Sequence, residues 1–195
     1  MSVRTGYNST LMKNRNRGIV LQLIATEHLS RAEITKKMGL SKMAISRIVG
    51  KLIEDGYIAD GREDDNSAVG RNPTLLEISP AAPVSLGIYI SRNEVNVLLC
   101  DLQMRILFSA SEKMQNENAE SLTEKLFSLC DGAISYASRS LPGNKILGIG
   151  VSAIGPLDPA KGTILRPTDF FCICDFPISK LLSERYALPT FLEND

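Results

Sequence analysis

LSRAEITKKMGLSKMAISRIVGKLIEDGYIAD, residues 29–60, places two short helices around a glycine turn. Ser30 is positioned to N-cap a helix reaching about Met38, with Glu33 three residues on to complete a capping box. Gly39 supplies the left-handed turn that ends this helix. Ser41 then caps a second helix from Lys42 to about Asp55, stopped by Gly56. Ile45, Ile48, Val49, Leu52 and Ile53 recur at helical intervals on the second helix. They are expected to bury against Ile34, Met38 and an earlier helix carrying Ile19, Val20, Leu23 and Ile24. The opposite face carries Lys42, Met43, Ser46, Arg47, Gly50 and Lys51, where a recognition helix presents side chains to a DNA major groove.

The candidate DNA-contacting residues are Ser41, Lys42, Met43, Ser46, Arg47, Lys51 and Arg71. Arg47 heads the set, because a guanidinium pairs with guanine O6 and N7 in bidentate fashion. Charge agrees. The chain of 195 residues is balanced, with 22 basic and 22 acidic side chains. Residues 1–51, however, hold ten Lys or Arg against only Glu27 and Glu33, a net charge of +8. Such a concentration is the footprint of phosphate binding and implies affinity that falls with salt.

Tyr57 to Ala59 and Thr74 to Ile78 read as paired strands, making the motif a winged helix-turn-helix. The intervening loop, DGREDDNSAVGRNPT, has Gly61, Gly70 and Pro73 as turn formers and two arginines, Arg62 and Arg71, suited to a DNA backbone or minor groove. Glu63, Asp64 and Asp65 repel phosphate, so the wing tip is expected to point away from DNA, with Arg71 making the contact. This defines a DNA-binding domain at residues 1–78, followed by a short proline-containing linker, SPAAP, at residues 79–83.

Residues 84–195 form the second domain, with the pattern βββαβαβ. Val84–Ile90, Glu94–Asp101 and Ile106–Ala110 read as strands, followed by a helix from about Glu120 to Arg139. A strand at Ile146–Ser152, a helix at Ile178–Tyr186 and a strand at Thr190–Leu192 complete the series. The fold class is α+β, a winged helix-turn-helix followed by a partial actin-like, ribonuclease-H-like lobe. No apolar run is long enough to span a membrane and no leader pattern is present, which points to a cytoplasmic protein.

Four segments, in order, resemble the ROK family of repressors, open reading frames and kinases. They are Gly70-Arg71-Asn72-Pro73-Thr74-Leu75-Leu76, Leu86-Gly87-Ile88, the run Leu147-Gly148-Ile149-Gly150-Val151-Ser152-Ala153-Ile154-Gly155-Pro156-Leu157-Asp158, and Leu188-Pro189-Thr190-Phe191-Leu192-Glu193-Asn194-Asp195. The resemblance is to regulators of the xylose-repressor and N-acetylglucosamine-repressor type, truncated within the ROK domain. It implies a DNA-binding repressor of carbohydrate genes, a homodimer or homo-oligomer on double-stranded operator DNA, with a sugar as effector bound near Gly155, Asn194 and Asp195. An Asn amide beside a carboxylate offers the donor and acceptor pairs that a polyol matches. Kinases of the family carry an Asp and a Gly-Gly-Thr turn between the first two strands of this domain, where Mg-ATP phosphates lie. Tyr89 and Ser91-Arg92-Asn93 stand there instead, so no enzyme activity and no cofactor are expected. The alternatives are a sugar kinase with a fused regulatory domain, or a truncated dimerisation module.

Family members of full length continue past the final Asp, so Phe191 and Leu192 are expected to leave apolar sheet surface uncovered. Where sugar-binding members carry Asn and Trp, this chain has Phe170 and Phe171, for which core packing is the expectation. Cys172 and Cys174 are too closely spaced for a zinc pair, and the single histidine, His28, lies in the other domain. Cys100 and Cys130 sit on apolar faces, so reduced thiols and no metal are expected.

Overall fold

The computed structural model describes residues 9–63, 74–115, 118–168, 170 and 173–195. It divides into two compact units, Met1–Ala82 and Pro83–Asp195.

In the first unit, α1 spans Ser9–Glu27, α2 Arg31–Met38 and α3 Lys42–Glu54, with β1 at Ile58–Glu63 and β2 at Thr74–Ile78. The caps form as their residue types dictate. The Ser30 hydroxyl accepts from the Glu33 amide, and the Glu33 carboxylate accepts from the Ser30 amide at 2.9 Å. Gly39 closes α2 at φ 63°, and Ser41 accepts from the Ala44 amide to open α3. Val20, Ile24, Ile34, Ile45, Val49, Leu52, Ile58 and Leu76 form the core, with Ile48 and Ile53 packed at its margin. Ile19, expected inside, is 37% exposed, because Val20 and Ile24 take the inward face of α1.

The β1–β2 pairing is antiparallel, with an irregularity between Asp60 and Glu63. Gly61 lies inside β1 rather than in a turn. A Cβ there would come within 2.6 Å of the Glu77 side chain on β2, so the glycine admits that side chain. Ser30 also bridges to Leu75, and the Leu76 amide donates to the Leu29 carbonyl at 3.2 Å, which ties α2's cap to the wing strand. Residues 64–73, including Asp64, Asp65, Gly70, Arg71 and Pro73, lie outside the described residues, so the expected wing tip and its arginine do too.

Replacing Ser30 by alanine is expected to lower the unit's stability by about 1–2 kcal/mol, because it removes the cap and half of the box. The box also sets a pH dependence. Hydrogen bonds from the Ser30 amide and hydroxyl hold the Glu33 carboxyl below its ordinary range. A depressed carboxyl stabilises the folded state above its unfolded pKa, and that contribution disappears as pH falls through the folded value. Urea midpoints measured from neutral to acid pH should therefore fall in the native chain and fall less in Ser30→Ala.

The second unit holds strands β3 Val84–Ile90, β4 Glu94–Cys100, β5 Ile106–Lys113, β6 Ile146–Ala153 and β9 Thr190–Asn194, with helices α4 Ala119–Ser140 and α5 Ile178–Tyr186. The five strands form one sheet in the order β5-β4-β3-β6-β9. β3, β4 and β5 form an antiparallel meander, while β6 and β9 run parallel to β3. Between β6 and α5 lies a small hairpin absent from the expected pattern, β7 Leu157–Asp158 with β8 Thr163–Ile164. Strands of two residues leave no alternation in sequence, and Gly155, Pro156 and Pro159 read as loop.

Alternation along the larger strands creates two different faces. Leu86, Ile88, Val95, Val97, Leu99, Ile149, Val151 and Leu192 are buried in one core with Leu122, Leu126, Leu129, Ala133 and Ala137 of α4 and Ile178 and Leu182 of α5. Gly87, Tyr89, Leu98, Gly150, Ser152 and Phe191 instead line a groove of about 380 Å³. Phe191 is 68% exposed, whereas Leu192 is buried. Phe170 packs in the core, while Phe171 and Cys172 lie outside the described residues. Cys130 is buried, and burial pushes its thiol up to about 12, leaving it protonated and unreactive at neutral pH. Arg185 and the Tyr186 hydroxyl both bond Asp131 on α4 at 2.9 Å, fastening α5 to α4.

Candidate nucleic-acid interface and sugar site

The outward face of α3 is shaped by what its other residues bury. Ile45, Val49 and Leu52 face the core, so Lys42, Met43, Ser46, Arg47, Gly50 and Lys51 are turned to solvent. Met43 is 71% exposed. Arg47 has no ion-pair partner among the described residues, so its guanidinium is free to meet a base edge. Ser41 spends its hydroxyl on the α3 cap, which leaves it able to contact DNA only while holding that helix end.

Lys51 differs from its neighbours. Its ammonium pairs with Glu54 at 3.1 Å and with Asp55 at 2.8 Å, and Asp55 also takes Arg17 of α1 at 2.6 Å. The Lys51 hydrogen bond, followed by that of Arg17, holds the Asp55 carboxyl below its ordinary range. Asp55 therefore shares its single negative charge between two cations, Arg17 and Lys51, that the charge pattern offered to phosphate. The signal was present in the i,i+4 spacing of Lys51 and Asp55. Asp55→Asn is expected to strengthen binding to unrelated DNA and to steepen the log affinity against log salt slope by about 1 for each cation that reaches a phosphate. A salt series on scrambled duplex would measure it.

In the second unit, Gly155, Asn194 and Asp195 come together where the parallel strands β6 and β9 end. A Cβ on Gly155 would lie 2.7 Å from the Asn194 Oδ1, so glycine is what lets the two approach. The Asn194 amide donates to the Asp195 carbonyl at 3.3 Å, and the Asp195 backbone amide donates to the Ala153 carbonyl at 3.4 Å. All three are at the carboxyl ends of parallel strands, where open α/β sheets bind ligands. The Asn194 and Asp195 side chains are exposed, and the Asn194 Oδ1 remains directed toward Gly155.

The turn after β3 has a different construction from a phosphate cradle. The Ser91 hydroxyl accepts from the Asn93 and Glu94 amides at 3.3 and 3.1 Å, so side-chain oxygen occupies donors that a phosphate would need. Arg92 reaches the Thr168 carbonyl through Nε and Nη2, each at 3.4 Å, and thereby tethers the loop that follows β8. Nothing in the spacing around Arg92 signals this tether, because its partner is 76 residues away. Among the described residues no cluster of three or more His, Cys, Asp or Glu is arranged to hold a metal ion. No described helix is long and apolar enough to cross a membrane.

Comparison with known proteins agrees with the winged helix-turn-helix and with the fold of the sheet unit. Residues 12–59 match the winged helix-turn-helix DNA-binding family. The putative xylose repressor of Caldicellulosiruptor sp. (strain Rt8B.4) is 28% identical over 190 residues, 96% of this chain and 47% of that protein. The DNA-binding transcriptional repressor Mlc of Escherichia coli (strain K12) is 21% identical over 185 residues, 94% of this chain and 45% of that protein. The crystal structure of a ROK family transcriptional regulator, described as a homologue of the E. coli protein, superposes with a TM-score of 0.72 at 18% identity. That superposition covers 94% of this chain and 46% of the other. The chain spans about half the length of the curated relatives it matches.

Proposed function

We propose that this chain, which shares the ROK regulators' fold and their order of winged helix before sheet, is a sequence-specific DNA-binding repressor that answers to a sugar. The observation that carries the reading is α3 itself, a capped helix that turns Lys42, Met43, Ser46 and Arg47 to solvent together within a segment of net charge +8. Lys42 and the α3 N-terminus meet phosphate, and Arg47 with Ser46 and Met43 reads base edges in the major groove. Arg71 of the wing adds a backbone contact. Two copies on an inverted repeat would place their α3 helices about one DNA turn apart, roughly 34–36 Å.

The sensor reading rests on Gly155, Asn194 and Asp195, brought together at the ends of β6 and β9. Asn194 supplies amide donor and acceptor, Asp195 a carboxylate acceptor, and Gly155 lets the Asn194 side chain lie close over the backbone beside them. Several relatives are named xylose repressor, which makes a pentose the first effector to try. The sugar would release DNA by binding more tightly to the state that holds DNA poorly. The occupied amides of the Ser91 turn and the absence of a carboxylate at Tyr89 favour a regulator over a kinase.

Fluorescence anisotropy on the chain's own upstream DNA and on scrambled duplex, with and without xylose and glucose, tests this. Expected is preference for the native duplex by roughly 10³-fold or more at physiological salt, weakened by one of the sugars. Equal affinity for both duplexes would overturn the repressor reading.

A further inference from the structure

Between α1 and α3 runs a groove of about 310 Å³. Its walls are mostly carbon, from Leu40, Ala44 and Ile48, and Lys13 and Arg47 stand beside them. Arg17 and Lys51 also border it, but Asp55 pairs with both. Lys13 and Arg47 have no ion-pair partner among the described residues. The groove thus combines apolar surface left open to water with two uncompensated positive charges. Apolar surface of this kind gains from being covered, and a cation on its border gains from a carboxylate.

We propose that this groove binds an amphipathic organic anion, an alkyl or aryl carboxylate. The tail lies on Leu40, Ala44 and Ile48, and the carboxylate bridges Lys13 and Arg47. Charge complementarity decides the class. Inorganic phosphate would satisfy the cations and leave the carbon wall wet, and a neutral sugar would do neither. The volume is at the lower end of small-ligand cavities, about 300–1,000 Å³, and suits a single tail rather than a folded partner. Because Arg47 also serves as the base reader, an occupant of the groove competes with DNA; this second step rests on the repressor reading, while the binding site does not.

The test is a titration of the full chain with decanoate, followed by amide chemical shifts, beside decyltrimethylammonium, which has a similar tail and the opposite charge. Decanoate is expected to shift the amides around Lys13, Leu40, Ala44 and Ile48, with the cationic analogue roughly tenfold weaker there. Lys13→Glu, an exposed α1 position, should weaken decanoate by roughly tenfold with an unchanged circular dichroism spectrum. Ala44→Phe, which fills the groove, should also abolish those shifts. Equal affinity for anion and cation, or shifts centred on the sheet groove at Gly87 and Gly150, would overturn the proposal. In a second arm, decanoate should weaken DNA binding by the native chain and much less by Lys13→Glu. A chain that binds decanoate in this groove yet prefers no DNA sequence keeps the site and refutes the repressor reading alone.

Discussion

Arg47→Ala is expected to weaken operator binding by roughly 5- to 150-fold, the equivalent of about 1–3 kcal/mol for a bidentate contact with guanine. The loss should be confined to the native sequence. Affinity for scrambled duplex should hardly change, because a base-reading arginine adds discrimination rather than general attraction. Lys42→Ala is the contrasting case. A phosphate contact removed from the start of α3 should weaken both duplexes alike and reduce the salt slope by about 1. Anisotropy on both duplexes across a salt series separates these patterns. Native preference that survives intact in Arg47→Ala would move base reading to another residue of α3.

Gly162→Ala should be the most damaging of the small substitutions in the sheet unit, lowering its stability by about 2–5 kcal/mol. Two costs combine. Gly162 has φ +64°, where a side chain costs roughly 1–2 kcal/mol. The new Cβ would also lie 2.2 Å from the Ser179 Cβ and 2.4 Å from its Oγ, an overlap that costs about 1–3 kcal/mol to relieve. The Ser179 Cβ cannot swing away, because it is fixed to a backbone on the first turn of α5 whose amide donates to the Gly162 carbonyl at 3.0 Å. Ser179→Gly in the same chain should recover the overlap and leave the backbone cost. The Ser179 hydroxyl is buried without a hydrogen-bond partner among the described residues, so its removal sacrifices no bond. Urea unfolding of the single and double variants would resolve the two costs.

The helix pair was legible because several signals coincide within thirty residues. Ser30, Glu33, Gly39, Ser41 and Gly56 mark ends while Ile34, Ile45, Val49 and Leu52 mark one face, and caps act over a turn, within reach of local sequence. The three antiparallel strands, α4 and α5 were legible for the same reason, through alternation and helical spacing. What escaped depends on neighbours distant in sequence. Gly61 reads as a turn until Glu77 is laid across β1. Ile19 reads as core until Val20 and Ile24 settle the rotation of α1. Arg17 looks available for phosphate until Asp55, 38 residues away, claims it. At the candidate sugar site the residues were named through resemblance, and the fold supplied their reason for meeting, the parallel ends of β6 and β9. Gly155 gave no sign by itself that its missing side chain would make room for Asn194.

Ser30 belongs at once to the cap of α2 and to the bridge against Leu75, with Leu29 receiving the Leu76 amide beside it. The wing strand is therefore no loose appendage laid against a helical body. Ile58 and Leu76 of the wing strands also share one core with Ile34 of the first helix of the pair and with Ile45, Val49 and Leu52 of the helix that carries Arg47, so a push on the strands reaches both helices. The unit therefore answers a load as one body, with Ser30 at the joint where strand and helix end meet.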